Sequence, residues 1–130
     1  MTQADGQAGS PDKAKPWPLE IRHYTAEARL EIDFDTDETF SLSAEMLRVM
    51  SPSAEVKGHG PGQEITVAGK RSVTVEGIDP VGNYAVKLTF SDGHNTGFYT
   101  WRYLYELGVE KDAKWQAYLA ELSAKGLGRD

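Results

Sequence analysis

The sequence predicts an α+β fold, in which a strand-rich antiparallel β-meander is combined with short helices and a C-terminal amphipathic helix. Two observations predict it. Apolar and polar residues alternate over Leu19–Arg22 and over Leu30–Asp35, which is the period of half-buried strands. Near the C-terminus, apolar residues recur with helical spacing and form one stripe: Trp115, Tyr118, Leu119 and Leu122.

The first half of the chain also contains a third predicted strand, a helix and a loop. The strand lies around Phe40 and Leu42, which continue the alternation. Ser43 can then cap a short helix, which Pro52 ends. The stretch 57–62 holds three glycines and a proline. It is predicted to be a loop, because these residues suit neither a strand ladder nor a helix.

In the second half of the chain, strands are predicted at Ile65–Val67, at Val73–Val75 and at Tyr84–Phe90. Asp92–Gly93 is typical of a type I′ hairpin turn, in which both central residues have positive φ. The strand that returns from this turn would run over His94–Tyr99.

Two helices are predicted to complete the fold. Thr100 can cap the first, and Gly108 would stop it. The second spans about Asp112–Lys125. We expect Trp115 and Leu119 to be buried against the sheet, which would make the last helix part of the core.

The composition is that of one globular domain. The chain has 130 residues, of which 39% are hydrophobic and 10% aromatic. No apolar run approaches the about 20 residues that cross a bilayer. Residues 1–16 are small and polar, so we expect a disordered tail followed by a single domain over residues 17–126.

Charge and cysteine content exclude several classes of function. The net charge is −6 and there is no basic run, so neither nucleic acid nor an anionic membrane is expected as a partner. The absence of cysteine excludes disulfides, thiolate metal sites and cysteine nucleophiles. With no secretory signal pattern either, we expect a cytoplasmic protein.

Two motifs superficially suggest ligand binding. The run Asp33–Asp37 begins like an EF-hand loop, but Glu38 and Ala44 stand where that loop needs glycine and glutamate. We therefore interpret the run as the solvated face of a strand. The glycines of 58–62 precede a predicted strand rather than a helix, so a phosphate-binding loop is not predicted.

The three histidines, His23, His59 and His94, lack the local spacing of an iron-binding facial triad. No Gly-x-Ser-x-Gly elbow occurs either, so no catalytic residue is predicted. His94 lies beside the predicted hairpin turn, and we interpret it as a turn or surface residue. The alternative is a metal site that uses His94, His59 and nearby Asp92 on adjoining loops.

Two segments together resemble a known family. They are Met46–Gly62 and Asp92–Phe98, the latter followed by Trp101 and Leu104. They resemble the gamma-butyrobetaine hydroxylase-like N-terminal domain, in the form of small stand-alone bacterial proteins of unknown function. The likeness covers about residues 17–122.

The resemblance implies a mostly β accessory module. In the hydroxylase this module precedes a separate oxygenase barrel, and it also occurs fused to P-loop iron–sulfur carrier proteins. In the hydroxylase it binds zinc through three cysteines and a histidine. The matching positions in this sequence are Ser51, Ser53, Val56 and His94.

Two hydroxyls and a valine cannot replace three thiolates as zinc ligands. Zinc or iron is thus suggested by the resemblance alone, and we expect the family zinc site to be lost and no cofactor to be bound. The segment Ser51–Val56 should nevertheless lie beside His94. We expect a serine hydroxyl there to bond to local backbone and Val56 to pack in place of a ligand.

We therefore expect a non-enzymatic binding or adaptor module, linked to iron–sulfur cluster or metal-cofactor assembly. Its partner would be a protein, for which the family fusions suggest a P-loop iron–sulfur carrier. The alternative is a metal-binding domain that uses His94 and its neighbours.

Overall fold

The computed structural model describes residues 16–57 and 65–130. The tail predicted over 1–16 lies outside these residues except for Pro16. The loop predicted over 57–62 also lies outside them except for Lys57, which is helical instead. The described elements follow in chain order: β1 Pro18–Tyr24, β2 Arg29–Phe34, β3 Thr39–Ser43, α1 Ala44–Val49, α2 Ala54–Lys57, β4 Val75–Val81, β5 Ala85–Phe90, β6 Phe98–Thr100, α3 Trp101–Val109 and α4 Lys111–Ala124.

The strands form two three-stranded antiparallel sheets, β1–β2–β3 and β4–β5–β6, so the predicted α+β class is confirmed. Within each sheet the strands are neighbours in chain order, which is the connectivity of a meander. In the first sheet Ile32 of β2 lies opposite Ile21 of β1 and opposite Phe40 of β3. The alternation read from the sequence sets this register, because a shift by one residue would turn the apolar side chains towards solvent.

The polar face of β2 is held by arginines from the same sheet. The Arg22 guanidinium donates to the carboxylates of Glu31 and Asp33, and Arg29 donates to Glu31. Hydrogen bonding to Arg22 lowers the pKa of Asp33 to about 2. Glu31 and Asp33 therefore form the polar side of a half-buried strand, as expected, but the interpretation is wrong for Asp35 and Asp37, which lie in the turn after β2.

One main core lies between the two sheets and the helices α1 and α3. Its fully buried side chains include Ile32, Phe34, Leu47, Leu88 and Leu107. Because strands from both sheets contribute to this single cluster, the described elements fold around a shared interior. None of the helices formed by the described residues has the length and apolar character that crossing a membrane requires.

The predicted strand at Ile65–Val67 is not formed, and the next strand, β4, begins at Val75 instead of ending there. Residues 65–68 pack against the C-terminal helix α4 instead of joining a sheet. Val67 and Ala68 pack against a second apolar cluster, and the Tyr118 hydroxyl donates to the Val67 carbonyl at 2.6 Å. Side-chain packing has therefore replaced the strand ladder here.

The turn after β5 differs from the predicted type I′ hairpin. Gly93 has a φ of +91°, whereas Asp92 is not among the residues with positive φ. The returning strand β6 begins only at Phe98, because residues 94–97 form an irregular segment. This segment turns the His94 side chain inward.

Both predicted helix caps are present, but the predicted stop at Gly108 is wrong. The Ser43 hydroxyl accepts from the Met46 amide, and the Thr100 hydroxyl accepts from the Tyr103 amide. Helix α3 continues through Gly108 to Val109. A Cβ at Gly108 would lie 2.3 Å from Cγ of Phe40, so the glycine allows close packing instead of ending the helix.

The stripe on α4 is only partly buried, and its buried members differ from the prediction. Tyr118 and Leu122 are buried, whereas Trp115 and Leu119 are half-buried. The stripe packs mainly on Val49 at the end of α1 and on the 65–68 segment. The expected burial of Trp115 and Leu119 is therefore wrong in degree: Trp115 packs against both the main core and the second cluster and Leu119 against the second cluster, but both remain half-buried.

The segment after α4 returns to the body of the fold. Its backbone bonds to the 69–71 segment, with the Gly69 amide donating to the Gly128 carbonyl at 3.0 Å. The Arg129 guanidinium then makes two hydrogen bonds to the Glu45 carboxylate, at 2.6 and 2.9 Å. The Glu45 side chain is only 7% exposed, so Arg129 provides the countercharge for a buried carboxylate.

Candidate functional site

The segment after helix α1 and the loop between β5 and β6 meet at one buried point. Ser51 and Ser53 lie just after α1, and His94 lies at the start of the irregular segment before β6. His94 is 8% exposed and Ser51 is fully buried. The interpretation of His94 as a turn or surface residue is therefore wrong about its exposure, since the loop folds the imidazole inward.

Both ring nitrogens of His94 have partners. Nε2 lies 2.9 Å from the Ser51 hydroxyl, and Nδ1 lies 3.1 Å from a carboxylate oxygen of Glu55. A carboxylate only accepts, so we assign the proton of the neutral ring to Nδ1. Nε2 then accepts from the Ser51 hydroxyl. The Ser51 hydroxyl in turn accepts from the Ser53 amide at 3.2 Å.

Ser53 and Val56 complete the junction. The Ser53 hydroxyl accepts from the Glu55 amide at 3.1 Å and lies 2.7 Å from the Thr96 hydroxyl. Val56 is buried. The expected juxtaposition of Ser51–Val56 with His94 is therefore confirmed, as are the serine bonds to local backbone and the packing of Val56.

Gly97 allows the two segments to approach this closely. A Cβ at this position would lie 2.4 Å from the Ser51 hydroxyl oxygen and 3.2 Å from Cδ of Pro52. Beneath the junction, the Tyr99 hydroxyl donates to the Leu47 carbonyl. Burial raises the pKa of Tyr99, so it stays neutral and acts as a donor.

Burial and charge both favour a neutral His94. Burial lowers the pKa of the imidazole first, and the nearby Arg48 guanidinium lowers it further. The carboxylates of Glu55 and Asp92 act in the opposite direction without reversing the shift. The ring is therefore neutral around pH 7, as the tautomer assignment requires.

Asp92 is bonded to cations and backbone rather than to the imidazole. One carboxylate oxygen accepts from Arg48 at 2.9 Å and from Lys70 at 2.6 Å, and the other accepts from the His94 amide. Burial would raise the pKa of Asp92, but these hydrogen bonds outweigh it and hold the pKa at about 2. Asp92 is thus an ionised anchor of the loop.

The residues proposed as metal ligands are placed as follows. His94 and Asp92 share one loop, but their side chains have different partners. His59 lies outside the described residues. Over residues 16–57 and 65–130, no three side chains of histidine, aspartate or glutamate are grouped closely enough to hold a metal. The hydroxyls of Ser51 and Ser53 with Val56 also do not fit zinc, which proteins bind through thiolate, imidazole or carboxylate donors.

Sequence reasoning missed Glu55 and Arg48, two charged residues that act on the His94 imidazole. Glu55 bonds to the ring, and Arg48 is bonded to Asp92. The one sequence signal for Arg48 was its position shortly before Ser51 and Ser53, which the resemblance matches to zinc ligands. No local pattern could have identified Glu55, because its partner lies on another loop.

The order Ser51–His94–Glu55 is that of a nucleophile, a base and an orienting acid. The hydroxyl, however, has no exposed surface, and it is covered by Gly97 and Pro52. A substrate carbonyl cannot reach it in this arrangement. The contacts among these residues therefore fasten two loops together.

A second feature lies at the opposite end of β6, where aromatic rings line an open cavity of about 350 Å³. Trp17 and Tyr84 are about half exposed. Trp17 meets the ring of Trp101 edge to face, with centroids 6.2 Å apart. The lining residues, which we call the aromatic surface, are Pro16, Trp17, Tyr84, Thr100, Trp101 and Arg102.

Comparison with known proteins places the chain in a family. The family model described as gamma-butyrobetaine hydroxylase-like, N-terminal, matches residues 21–105. Two NMR solution structures are similar, at 46% and 44% identity with TM-scores of 0.77. The matches cover 88% and 95% of this chain and 90% and 91% of the other chains.

A crystal structure from Acidithiobacillus ferrooxidans is also similar, and that protein is described as one of unknown function in the DUF971 family. It is 44% identical, with a TM-score of 0.59 over 70% of this chain and 91% of the other. None of the curated proteins matches. The match to the family model and the identity to solved structures establish that the chain belongs to the gamma-butyrobetaine hydroxylase-like N-terminal family.

Proposed function

We propose that the chain is a non-enzymatic binding or adaptor module of the cytoplasm that serves iron–sulfur cluster or metal-cofactor assembly. The proposed partner is a P-loop iron–sulfur carrier protein, because the resemblance implies that domains of this family also occur fused to such carriers. The observation that carries the binding role is the aromatic surface around Tyr84 and Trp101.

The aromatic surface has the chemistry of a protein contact. Tryptophan, tyrosine and arginine are the residue types enriched at binding hot spots, and Trp17, Tyr84 and Arg102 are all exposed. The Trp101 indole is fixed, because its Nε1 donates to the Asn83 carbonyl at 2.9 Å. A fixed ring loses little freedom when a partner binds, which favours affinity.

The buried junction supports the non-enzymatic part of the proposal. Its hydroxyl, imidazole and carboxylate bond to one another, and Ser51 is covered. The positions of the family's zinc ligands therefore act here as a fastening between two loops. In this proposal the chain binds its partner through the aromatic surface and not through a reactive group.

The test measures binding of the purified chain to a purified P-loop iron–sulfur carrier by calorimetry. Tyr84→Ala is the informative variant, since the side chain is 53% exposed and its removal should leave the fold intact. We expect it to weaken binding about tenfold or more, as truncation of an interface aromatic does.

Val109→Ala is the matched control, because Val109 is 54% exposed and lies outside the aromatic surface. It should bind as the unaltered chain does. If the unaltered chain does not bind the carrier, the choice of partner is wrong. If Tyr84→Ala binds as tightly as the control, the partner does not use this surface.

A second candidate function, metal binding through His94, is favoured by one observation. His94 Nδ1 and the Glu55 carboxylate lie 3.1 Å apart, and Glu55 is 64% exposed, so the two could turn towards one ion. His59 and Asp92 would have to supply further ligands. Metal analysis of protein purified without a histidine tag tests this, with His94→Ala as the control. Stoichiometric metal that His94→Ala abolishes would favour this candidate over the adaptor.

A further inference from the structure

A second cavity, of about 380 Å³, opens between the end of α1, α2 and α4. Its floor is formed by the buried side chains of Val49, Val56 and Tyr118, which are largely apolar. The Tyr118 hydroxyl is already bonded to the Val67 carbonyl, so the residue presents its ring to the cavity. The volume, the apolar floor and the few polar groups around it are those of a small-molecule site.

The charges at the rim favour an anion. The Lys114 ammonium lies 3.3 Å from Glu110, and the Glu121 carboxylate lies 3.7 Å from Lys125, so these charges are balanced. Lys57 instead lies over the Tyr103 ring, with its ammonium 5.0 Å from the ring centroid. Among the residues that the structure describes, no carboxylate forms an ion pair with it. Of the charged residues that the structure describes at the rim, Lys57 is thus the one outside an ion pair.

We propose that this cavity binds a free amphipathic carboxylate, such as a medium-chain fatty acid. The apolar chain would pack on Val49, Val56 and Tyr118, and the carboxylate would meet the Lys57 ammonium. Burial of the chain supplies the affinity, and the lysine selects the charge of the ligand. The cavity shares no lining residue with the aromatic surface, so this site and the partner contact can be tested separately.

The probe is octanoate, added to the full ¹⁵N-labelled chain and followed by amide chemical shifts. Saturable shifts should centre on Val56, Lys57 and Tyr118. Ala117→Trp should fill the cavity from its rim and weaken binding at least about tenfold. Ala117 is exposed on α4, so the larger side chain need not disturb the core. Ala120→Trp is the matched control, since it is exposed on the same helix outside the cavity and should bind normally.

The choice of ligand charge has its own test. Lys57→Gln should weaken octanoate binding about fivefold, which is the size of a partly exposed ion pair. Octylammonium, with the same chain and the opposite charge, should bind at least about tenfold more weakly than octanoate. The proposal is overturned if millimolar octanoate gives no saturable shifts. It is also overturned if Ala117→Trp binds as the control does, or if octylammonium binds equally well.

Discussion

His94 Nε2 and the Ser51 hydroxyl are 2.9 Å apart, although 43 positions separate the two residues in the chain. This contact joins the two segments from which the family's zinc ligands would come. At the positions that the resemblance assigns to zinc ligands, this chain has two hydroxyls, a valine and one imidazole. If the assignment is correct, thiolates placed at the first three positions should allow zinc to bind.

Restoring three thiolates should recreate a zinc site. We expect the Ser51→Cys, Ser53→Cys, Val56→Cys variant to bind one zinc ion in reducing buffer. The metal should stabilise the fold by about 3 kcal/mol when free zinc is about a hundred times the Kd, because it binds only the folded state. Thermal unfolding with and without zinc, together with metal analysis, measures this.

The same variant with His94→Ala is the control for that experiment, and it should bind zinc more weakly because one ligand is missing. The unaltered chain should show neither binding nor stabilisation. A triple variant that remains metal-free would mean that these positions do not correspond to the family's ligands.

Stability should fall as the pH is lowered through the titration of His94. Burial and Arg48 lower the pKa of the folded imidazole below its ordinary value of 6.5. In that range the unfolded chain binds a proton that the folded chain does not, so the free energy of unfolding decreases from about pH 6.5 downward. Urea unfolding at a series of pH values measures the slope.

His94→Gln should be less stable at pH 7 and should show a flatter dependence between about pH 7 and pH 5. Carboxylates with lowered pKa values, such as Asp92, act mainly below that range. An unchanged slope in His94→Gln would show that the pH dependence comes from other groups.

Gly108→Ala should destabilise the protein, although alanine is the better helix former. In an exposed helix the change would stabilise by about 1 kcal/mol. Here the new Cβ would lie 2.3 Å from Cγ of Phe40, so we expect a net cost of about 1–3 kcal/mol from overpacking. Gly128→Ala is the control, since nothing lies within 4 Å of its added Cβ. Equal stability of the two variants in urea would contradict the close contact with Phe40.

The last helix should show its burial pattern in a pair of leucine substitutions. Leu122 is 4% exposed, so Leu122→Ala should cost about 2–5 kcal/mol. Leu119→Ala should cost clearly less, because that side chain is half-buried at the edge of the same cluster. Denaturant unfolding of both variants tests the order, and a larger cost at Leu119 would mean that the helix is rotated about its axis.

Local patterns in the sequence determined some of the strands and helices but not all of them. The alternation over Leu30–Phe34 fixes which side of β2 faces the core, and the hydroxyls of Ser43 and Thr100 begin the two helices that follow them. These features depend on interactions within a few residues, so the sequence contains them directly. Gly108 was predicted to end α3, but the helix continues through it, and the glycine instead allows close packing against Phe40.

Tertiary structure decided the rest. Ile65–Val67 is predicted to be a strand, but Val67 packs on the last helix and pairs with no sheet, so side-chain packing overrides β propensity here. The resemblance predicted that Ser51 lies near His94. The contact of Glu55 with His94 and the effect of the Arg48 charge on the imidazole, in contrast, depend on how the two loops fold together. Burial, the shifted pKa of His94 and both cavities arise from residues far apart in the chain, and the distances that create them exist only in the folded molecule.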